Sequence, residues 1–301
     1  MTVAVTVLEL IEASAAQLKA AGLTFENGFG QGTTNAFDEA AWLVMWQLGL
    51  PLDDLDSVSN RPVAEAEQVQ VATLLGARIS TRKPSAYLTH EAWLMGVPFY
   101  VDERVIIPRS FIAELLVDES IDPWLSKGTK RLLDLCTGNG SLAVLAAMNY
   151  PDVLVDAVDI SQDALAVARI NIDKYALGSR ITLIESDGLA SCAGKYDLIL
   201  CNPPYVNAAS MAALPAEFKA EPALALEGGT DGMDFIRTLF LTAAAHMSEN
   251  AVLVLEIGNE RDNFERAFPQ LEPLWFETSA GSDQVMLLLR EQLDSGFKIR
   301  F

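Results

Sequence analysis

At 301 residues the chain is long for one domain and comfortable for two, and half of its residues are apolar, so a sizeable core is expected. Its formal net charge of −20 is spread along the chain, a balance that repels nucleic-acid phosphates and suits basic partners or plain solubility. No apolar run reaches membrane-spanning length, and no basic start leads into an apolar stretch with a cleavage site, so neither a membrane span nor a leader is expected. The three cysteines, Cys136, Cys192 and Cys201, show no metal or redox spacing, which fits a reducing cytoplasm. With His90 and His246 as the two histidines, no metal site is expected.

In chain order, a first helix is predicted over 3–22, with Val7, Leu8, Ile11 and Leu18 marking its apolar face. A glycine-rich polar loop follows at 25–35. No strand precedes it and no lysine follows it, so it reads as a connector and not as a phosphate cradle. Helices over 37–50 and 63–79, the second with Val69, Val71, Leu74 and Leu75 on or near its face, complete a helical domain at 1–84, with an acidic turn after Pro51. Partner recognition and packing are both open roles for it. Short strands are predicted at 86–88, 92–97 and 98–101, with turns at His90 and Gly96, forming a β-hairpin linker over 85–110. Within it Ile107-Pro108-Arg109 is stiff enough to line a cleft. A helix is expected at 110–117.

A strand over 131–136 runs into Thr137-Gly138-Asn139-Gly140-Ser141 and a helix at 142–148, the first unit of a nucleotide-type fold. Gly138 and Gly140 would let a ligand approach the backbone closely. The next strand, 153–158, ends in Asp159, 21 residues after Gly138, where a carboxylate can accept both hydroxyls of a ribose. Ala143 replaces the third glycine of a dinucleotide fingerprint and no Gly-Lys phosphate loop is present, so a nucleoside without phosphates fits better than a pyrophosphate. A helix at 163–175 and a strand at 181–185 follow. Asp187, next to Gly188, is either a contact to an adenine amino group or a turn-former.

The strand predicted over 196–201 leads into Asn202-Pro203-Pro204-Tyr205. Two prolines cannot donate to a ladder, so the strand stops there in a stiff, extended turn. A planar amino group is a poor nucleophile because its lone pair is delocalised. The Asn202 side-chain oxygen and the Pro203 carbonyl can accept its two hydrogens and leave the lone pair aimed at an electrophile, while the Tyr205 ring packs on the flat group. Beyond it, 208–225 reads as polar loop, and Glu221-Pro222-Ala223-Leu224 with Gly228 to Gly232 suggests an ordered loop over the site. A helix at 233–247 and strands at 251–257, 274–278 and 284–289 complete the chain, the last two as an antiparallel pair at the sheet edge.

Asp134-Leu135-Cys136-Thr137-Gly138-Asn139-Gly140, Asp159, Asp187 and Asn202-Pro203-Pro204-Tyr205 together resemble the S-adenosylmethionine-dependent amino-methyltransferases, and within them the HemK-type protein-glutamine N5-methyltransferases. Ile107-Pro108-Arg109 and Glu221-Pro222-Ala223-Leu224 add to a likeness that covers nearly the whole chain. One branch of that family modifies peptide release factors; the other modifies large-subunit ribosomal protein L3. The second branch is similar in Phe29-Gly30-Gln31-Gly32-Thr33-Thr34-Asn35 and in Pro98-Phe99-Tyr100-Val101-Asp102-Glu103-Arg104-Val105, and is favoured. Asn139 and Ser141 depart from the family's usual Ser and Cys.

The resemblance implies an α/β fold: a seven-stranded Rossmann-like class I methyltransferase domain over 111–301, preceded by the helical domain and the hairpin. It implies donor contacts at Asp134, Cys136, Thr137, Gly138, Asn139, Gly140, Asp159, Ile160, Asp187, Gly188 and Asn202. It implies acceptor contacts at Pro108, Arg109, Asn202, Pro203, Pro204 and Tyr205, and S-adenosyl-L-homocysteine as product. A basic protein, L3, is the expected partner, with no direct nucleic-acid or membrane contact. A DNA adenine methyltransferase shares the Asn-Pro-Pro-Tyr turn but should carry a basic face, and this chain does not.

Overall fold

The structure, a computed structural model, describes residues 5–25 and 27–294. The chain divides into two compact units. The first gathers the residues up to Ala92 with Val101–Glu103 and Leu214–Glu221; the second holds Trp93–Tyr100, Arg104–Ala213 and the chain from Pro222 onward.

The first unit is helical: α1 (Val7–Ala20), α2 (Ala36–Gln47), α3 (Leu55–Val58), α4 (Glu65–Thr81) and α5 (Ser85–Thr89). Residues 3 and 4, expected in the first helix, lie outside the described residues. Thr6 starts α1 through a capping box: Thr6 Oγ1 accepts from the Glu9 amide, and Glu9 Oε2 accepts from the Thr6 amide at 2.9 Å. Asn35 caps α2 by accepting from the amides of Phe37 and Asp38. Val7, Ile11, Leu18, Leu43, Val44, Val71 and Leu75 close the core, whereas Val69, expected near the apolar face of α4, is exposed. The acidic stretch after Pro51 carries the short helix α3, started by Asp54 accepting from the Ser57 amide.

A buried ionic cluster lies under these helices. The fully buried Arg78 donates from Nε to Glu39 Oε1 at 2.7 Å, from Nη1 to Glu217 Oε1 at 3.2 Å, and from Nη2 to the Gly28 carbonyl at 2.6 Å. Arg82 Nε pairs with the same Glu217 oxygen at 2.7 Å, and Thr33 donates to the other Glu39 oxygen at 3.0 Å. The glycine-rich loop is thus a packed connector. Its Gly28 carbonyl satisfies Arg78, and a Cβ on Gly32 (φ +109°) would lie 3.2 Å from the Trp42 ring.

Residues 86–88, expected as a strand, belong instead to α5. Pro84 presets the backbone at its start, Thr89 Oγ1 donates back to the Ser85 carbonyl, and His90 ends it at φ +53°. The hairpin of β1 (Ala92–Leu94) and β2 (Val97–Phe99) turns at Met95-Gly96.

The second unit continues with α6 (Ile112–Val117), β3 (Arg131–Leu135), α7 (Ser141–Asn149), β4 (Leu154–Asp159), α8 (Gln162–Lys174), β5 (Ile181–Glu185), β6 (Tyr196–Cys201), α9 (Ala208–Ala213), α10 (Asp234–His246), β7 (Met247–Glu256), α11 (Arg261–Ala267), β8 (Leu274–Trp275), β9 (Val285–Leu289) and α12 (Arg290–Asp294). The seven-stranded sheet has the order β5-β4-β3-β6-β7-β9-β8. β3 to β7 run parallel, and β9 pairs antiparallel with both β7 and β8, as expected at that edge.

The strands are apolar on both faces because helices cover both. Leu133, Leu135, Ile199, Leu253 and Leu255 pack with Ile236 and Phe240 of α10. Their alternates Leu132, Leu198, Leu200, Val252 and Val254 pack with α6 and α7. The stretch 208–225, read as loop, contains α9 and two single 3-10 turns, Phe218–Ala220 and Ala223–Ala225. Alanine-rich, it has helix propensity without the long apolar periodicity that reveals a helix in sequence. α11 and α12, also short, had no such signal. Among the described residues no helix is long and apolar enough to cross a membrane.

Candidate active site

The parallel strands bring their carboxyl ends to one edge, and the register sets what meets there. Leu135 lies opposite Cys201 and Asp159 opposite Glu185, so the turns after β3, β4, β5 and β6 stand side by side. β3 and β6 are neighbours while the chain winds outward from β3 through β4 to β5, which makes this the switch point where open α/β sheets bind ligands.

The turn after β3 is held from beneath. Asp134 is fully buried; its Oδ2 accepts from Thr137 Oγ1 and from the Ala143 amide at 3.0 Å. Cys136 takes a left-handed conformation at φ +62°. Asp159 accepts from the Gly138 amide on Oδ2 and from the Ser161 amide on Oδ1, both at 2.9 Å. Asn171 of α8, fully buried, donates to the Asn139 carbonyl at 2.8 Å and pairs with both backbone groups of Tyr100. The Asp159 carboxylate thus pins the glycine turn and keeps further lone pairs for a ligand.

A cavity of about 220 Å³ opens on this edge. Of the expected residues, Cys136, Gly138, Asp159, Ile160, Asp187, Gly188, Asn202 and Pro204 line it. Asp134, Thr137, Asn139, Gly140, Pro203, Tyr205, Pro108 and Arg109 do not. Asp134 and Thr137 brace the turn from behind. Val105, Ile106, Pro222, Leu224, Ala225 and Phe235 also form the wall. Pro222 and Leu224 fall in the loop expected over the site; Phe235 gave no signal, because an aromatic residue on a helix reads as core.

The two glycines of the turn differ in purpose. A Cβ on Gly138 (φ +55°) would meet nothing within 4 Å, the open space that close ligand approach requires. A Cβ on Gly140 (φ +79°) would lie 3.1 Å from Ala168 Cβ and 3.3 Å from its Cα. Gly140 therefore has a packing reason to be glycine beside its expected ligand contact: it admits α8 against the start of α7. Gly140→Ala is expected to lose about 1–3 kcal/mol through overpacking and left-handed strain. A thermal midpoint equal to that of the wild type would refute this packing role.

Three carboxyls here are shifted up by burial, Asp159 among them, against the backbone hydrogen bonds that it accepts. Asp134, and Glu256 at the end of β7, are each pushed up to about 7 by loss of water, against hydrogen bonds that pull the other way. The unfolded chain ionises them near the ordinary carboxylate values, so their stabilising contribution is complete below about pH 4 and is lost as pH rises through about 7. Glu256→Gln, which cannot ionise, should therefore gain on the wild type in urea midpoint between about pH 5 and pH 8. A constant gap across that range would show that Glu256 does not titrate with folding.

Fold and site define a methyltransferase. The Methyltransferase small domain family matches residues 113–254. The hMettl16 catalytic domain, in complex with MAT2A 3'UTR hairpin 6, shares the fold at a TM-score of 0.51 and 12% identity, over 75% of this chain and 81% of that one. At the level of sequence, the ribosomal protein uL3 glutamine methyltransferase of Bordetella pertussis is 50% identical over 96% of this chain and 97% of its own length. Proteins of the same name from Neisseria meningitidis serogroup A and Bradyrhizobium diazoefficiens are 48% and 42% identical, each over 96% of this chain and over 94% and 92% of their own lengths. The chain belongs to the ribosomal protein uL3 glutamine methyltransferase family.

Proposed function

We propose that the protein transfers a methyl group from S-adenosyl-L-methionine to the side-chain nitrogen of a glutamine in large-subunit ribosomal protein uL3, with S-adenosyl-L-homocysteine as product. One arrangement carries the reading: Asn202, the amide-holding residue, borders the same cavity as Asp159, the ribose-holding carboxylate. The names of the relatives support the substrate.

The residues present fit such a donor. Asp159 retains acceptor capacity for ribose hydroxyls, Gly138 leaves open space, and Asp187 and Gly188 line the same cavity. Asp134 Oδ1 and Asn139 Nδ2 are buried without a protein partner, an acceptor and a donor suited to an amino-acid arm. When bound, the donor supplies a methyl already activated on a sulfonium.

The protein's task is then positioning, which accounts for up to about 7–11 kcal/mol of a barrier. Asn202 Oδ1 and the Pro203 carbonyl accept the two amide hydrogens, so the nitrogen lone pair points outward from the turn. Pro204 and Tyr205 wall the flat group. No base is needed beforehand, because the nitrogen proton becomes acidic only as the new bond forms. Pro108 and Arg109 would lie on the acceptor's side, and the helical unit would recognise the substrate protein.

The acidic surface suits a basic protein free of RNA, so association should weaken as salt rises. The test is mass spectrometry after incubation with S-adenosylmethionine and, separately, uL3, a release factor and duplex DNA. One methylated glutamine on uL3 is expected. Methyl on the release factor or on adenine would replace this reading with the corresponding activity.

A further inference from the structure

The chain leaves β7 through Glu256-Ile257-Gly258-Asn259-Glu260, none of which lines the cavity. Residues at alternate positions of this segment nevertheless each hold a different part of the site.

Glu256, 1% exposed, accepts on one oxygen from Ser110 Oγ at 2.6 Å and from the Phe111 amide at 2.9 Å. It thereby fixes the backbone that emerges from Pro108 and Arg109. Gly258 sits at φ +53°, and a Cβ there would lie 2.6 Å from Cε2 and 3.0 Å from Cζ of the Tyr205 ring. Glu260 accepts from Asn207 Nδ2 at 2.6 Å and, on its other oxygen, from Asn263.

The rest of Tyr205 is equally confined. Its backbone packs on Gly228 and Gly232, where a Cβ would collide with Tyr205 Cα and carbonyl oxygen respectively. Val206 bonds to Leu226 and Gly228. The ring lies against the space that Gly258 leaves open.

We propose that Glu256, Gly258 and Glu260 are positioning residues that set the distance between the Tyr205 ring and the Pro108–Arg109 segment, the two walls between which the acceptor amide is held. The inference rests on the reading of Asn202 to Tyr205 as the acceptor turn.

Ordinary carbon contact begins near 3.4 Å, so the 2.6 Å approach means that Gly258→Ala displaces the ring by roughly 1 Å, a misplacement worth about 10²-fold in rate. The expected result is a fall in kcat of about 10²-fold with the S-adenosylmethionine dissociation constant within about threefold of wild type. Because the effect runs through the ring, Gly258→Ala should cost nothing further in a Tyr205→Ala background. Should Gly258→Ala not fold, the double variant is expected to fold, since the collision is gone.

For Glu256, alanine should raise the KM for uL3 about tenfold, while Glu256→Gln, whose amide oxygen still accepts, should recover most of it. Independent losses in the double variant, or Glu256→Gln as poor as Glu256→Ala, would overturn the proposal. The ring is followed separately by fluorine NMR of 3-fluorotyrosine-labelled protein, assigned with Tyr205→Phe. A resonance unmoved by Gly258→Ala overturns the proposal even if no methyl reaches uL3, whereas a moved resonance with no transfer by wild type counts against the functional reading alone.

Discussion

Asn202→Ala is expected to lower single-turnover methyl transfer by about 10³-fold, the upper range for removing one preorganised hydrogen-bonding group at a reacting centre. Alanine leaves one amide hydrogen without its acceptor, so the nitrogen lone pair stays conjugated and unaimed. The pressure on the fold is small. Asn202 is half-buried, lies past the end of β6 and is followed by two prolines that keep the turn extended on their own. The donor should therefore still bind, within about threefold by calorimetry, because Asp159 and the Gly138 turn are untouched. Donor affinity falling in step with transfer would make Asn202 a structural residue and leave the amide without a holder.

Arg78→Met is expected to cost about 3–5 kcal/mol in urea unfolding, because it leaves buried carboxylates without their cation. The magnitude follows from geometry. Arg78 is fully buried, Glu39 and Glu217 are nearly so, and one Glu217 oxygen already lacks a partner. Arg82 still reaches Glu217 at 2.7 Å, so Glu39 is the group most exposed to the loss. Lysine would not substitute, since a point charge cannot serve Glu39, Glu217 and the Gly28 carbonyl from one fork. Replacing Arg78, Glu39 and Glu217 together by Met, Gln and Leu should recover much of the stability, as removal of a whole buried ionic group often does. A loss below about 1 kcal/mol for Arg78→Met would mean that water reaches the cluster.

The sequence was most legible where period and punctuation agree. β5 and β6 fall on the residues expected, because short apolar runs there end in Ser186 or in two prolines. The spacing of Gly138 and Asp159, 21 residues apart, was visible in the sequence, whereas the 2.9 Å hydrogen bond that joins them was not. Reading failed where the fold overrides local signal. Residues 86–88 look like strand but follow Pro84 into α5, and the packing of Gly140 on Ala168 of α8 had no signal in the sequence. Arg78 and Glu217 are 139 residues apart, and nothing local in either predicts the other.

By itself the sequence determined the sheet-forming runs, the glycine turn and the stiff Asn202–Tyr205 turn, because these depend on backbone sterics within a few residues. Only the tertiary structure decided that Gly258 packs against the Tyr205 ring, that Glu256 holds Ser110 and Phe111, and that Arg78 closes the helical unit. Such contacts join residues far apart in the chain, and their partners are set by strand register and close packing, which no single stretch of sequence contains.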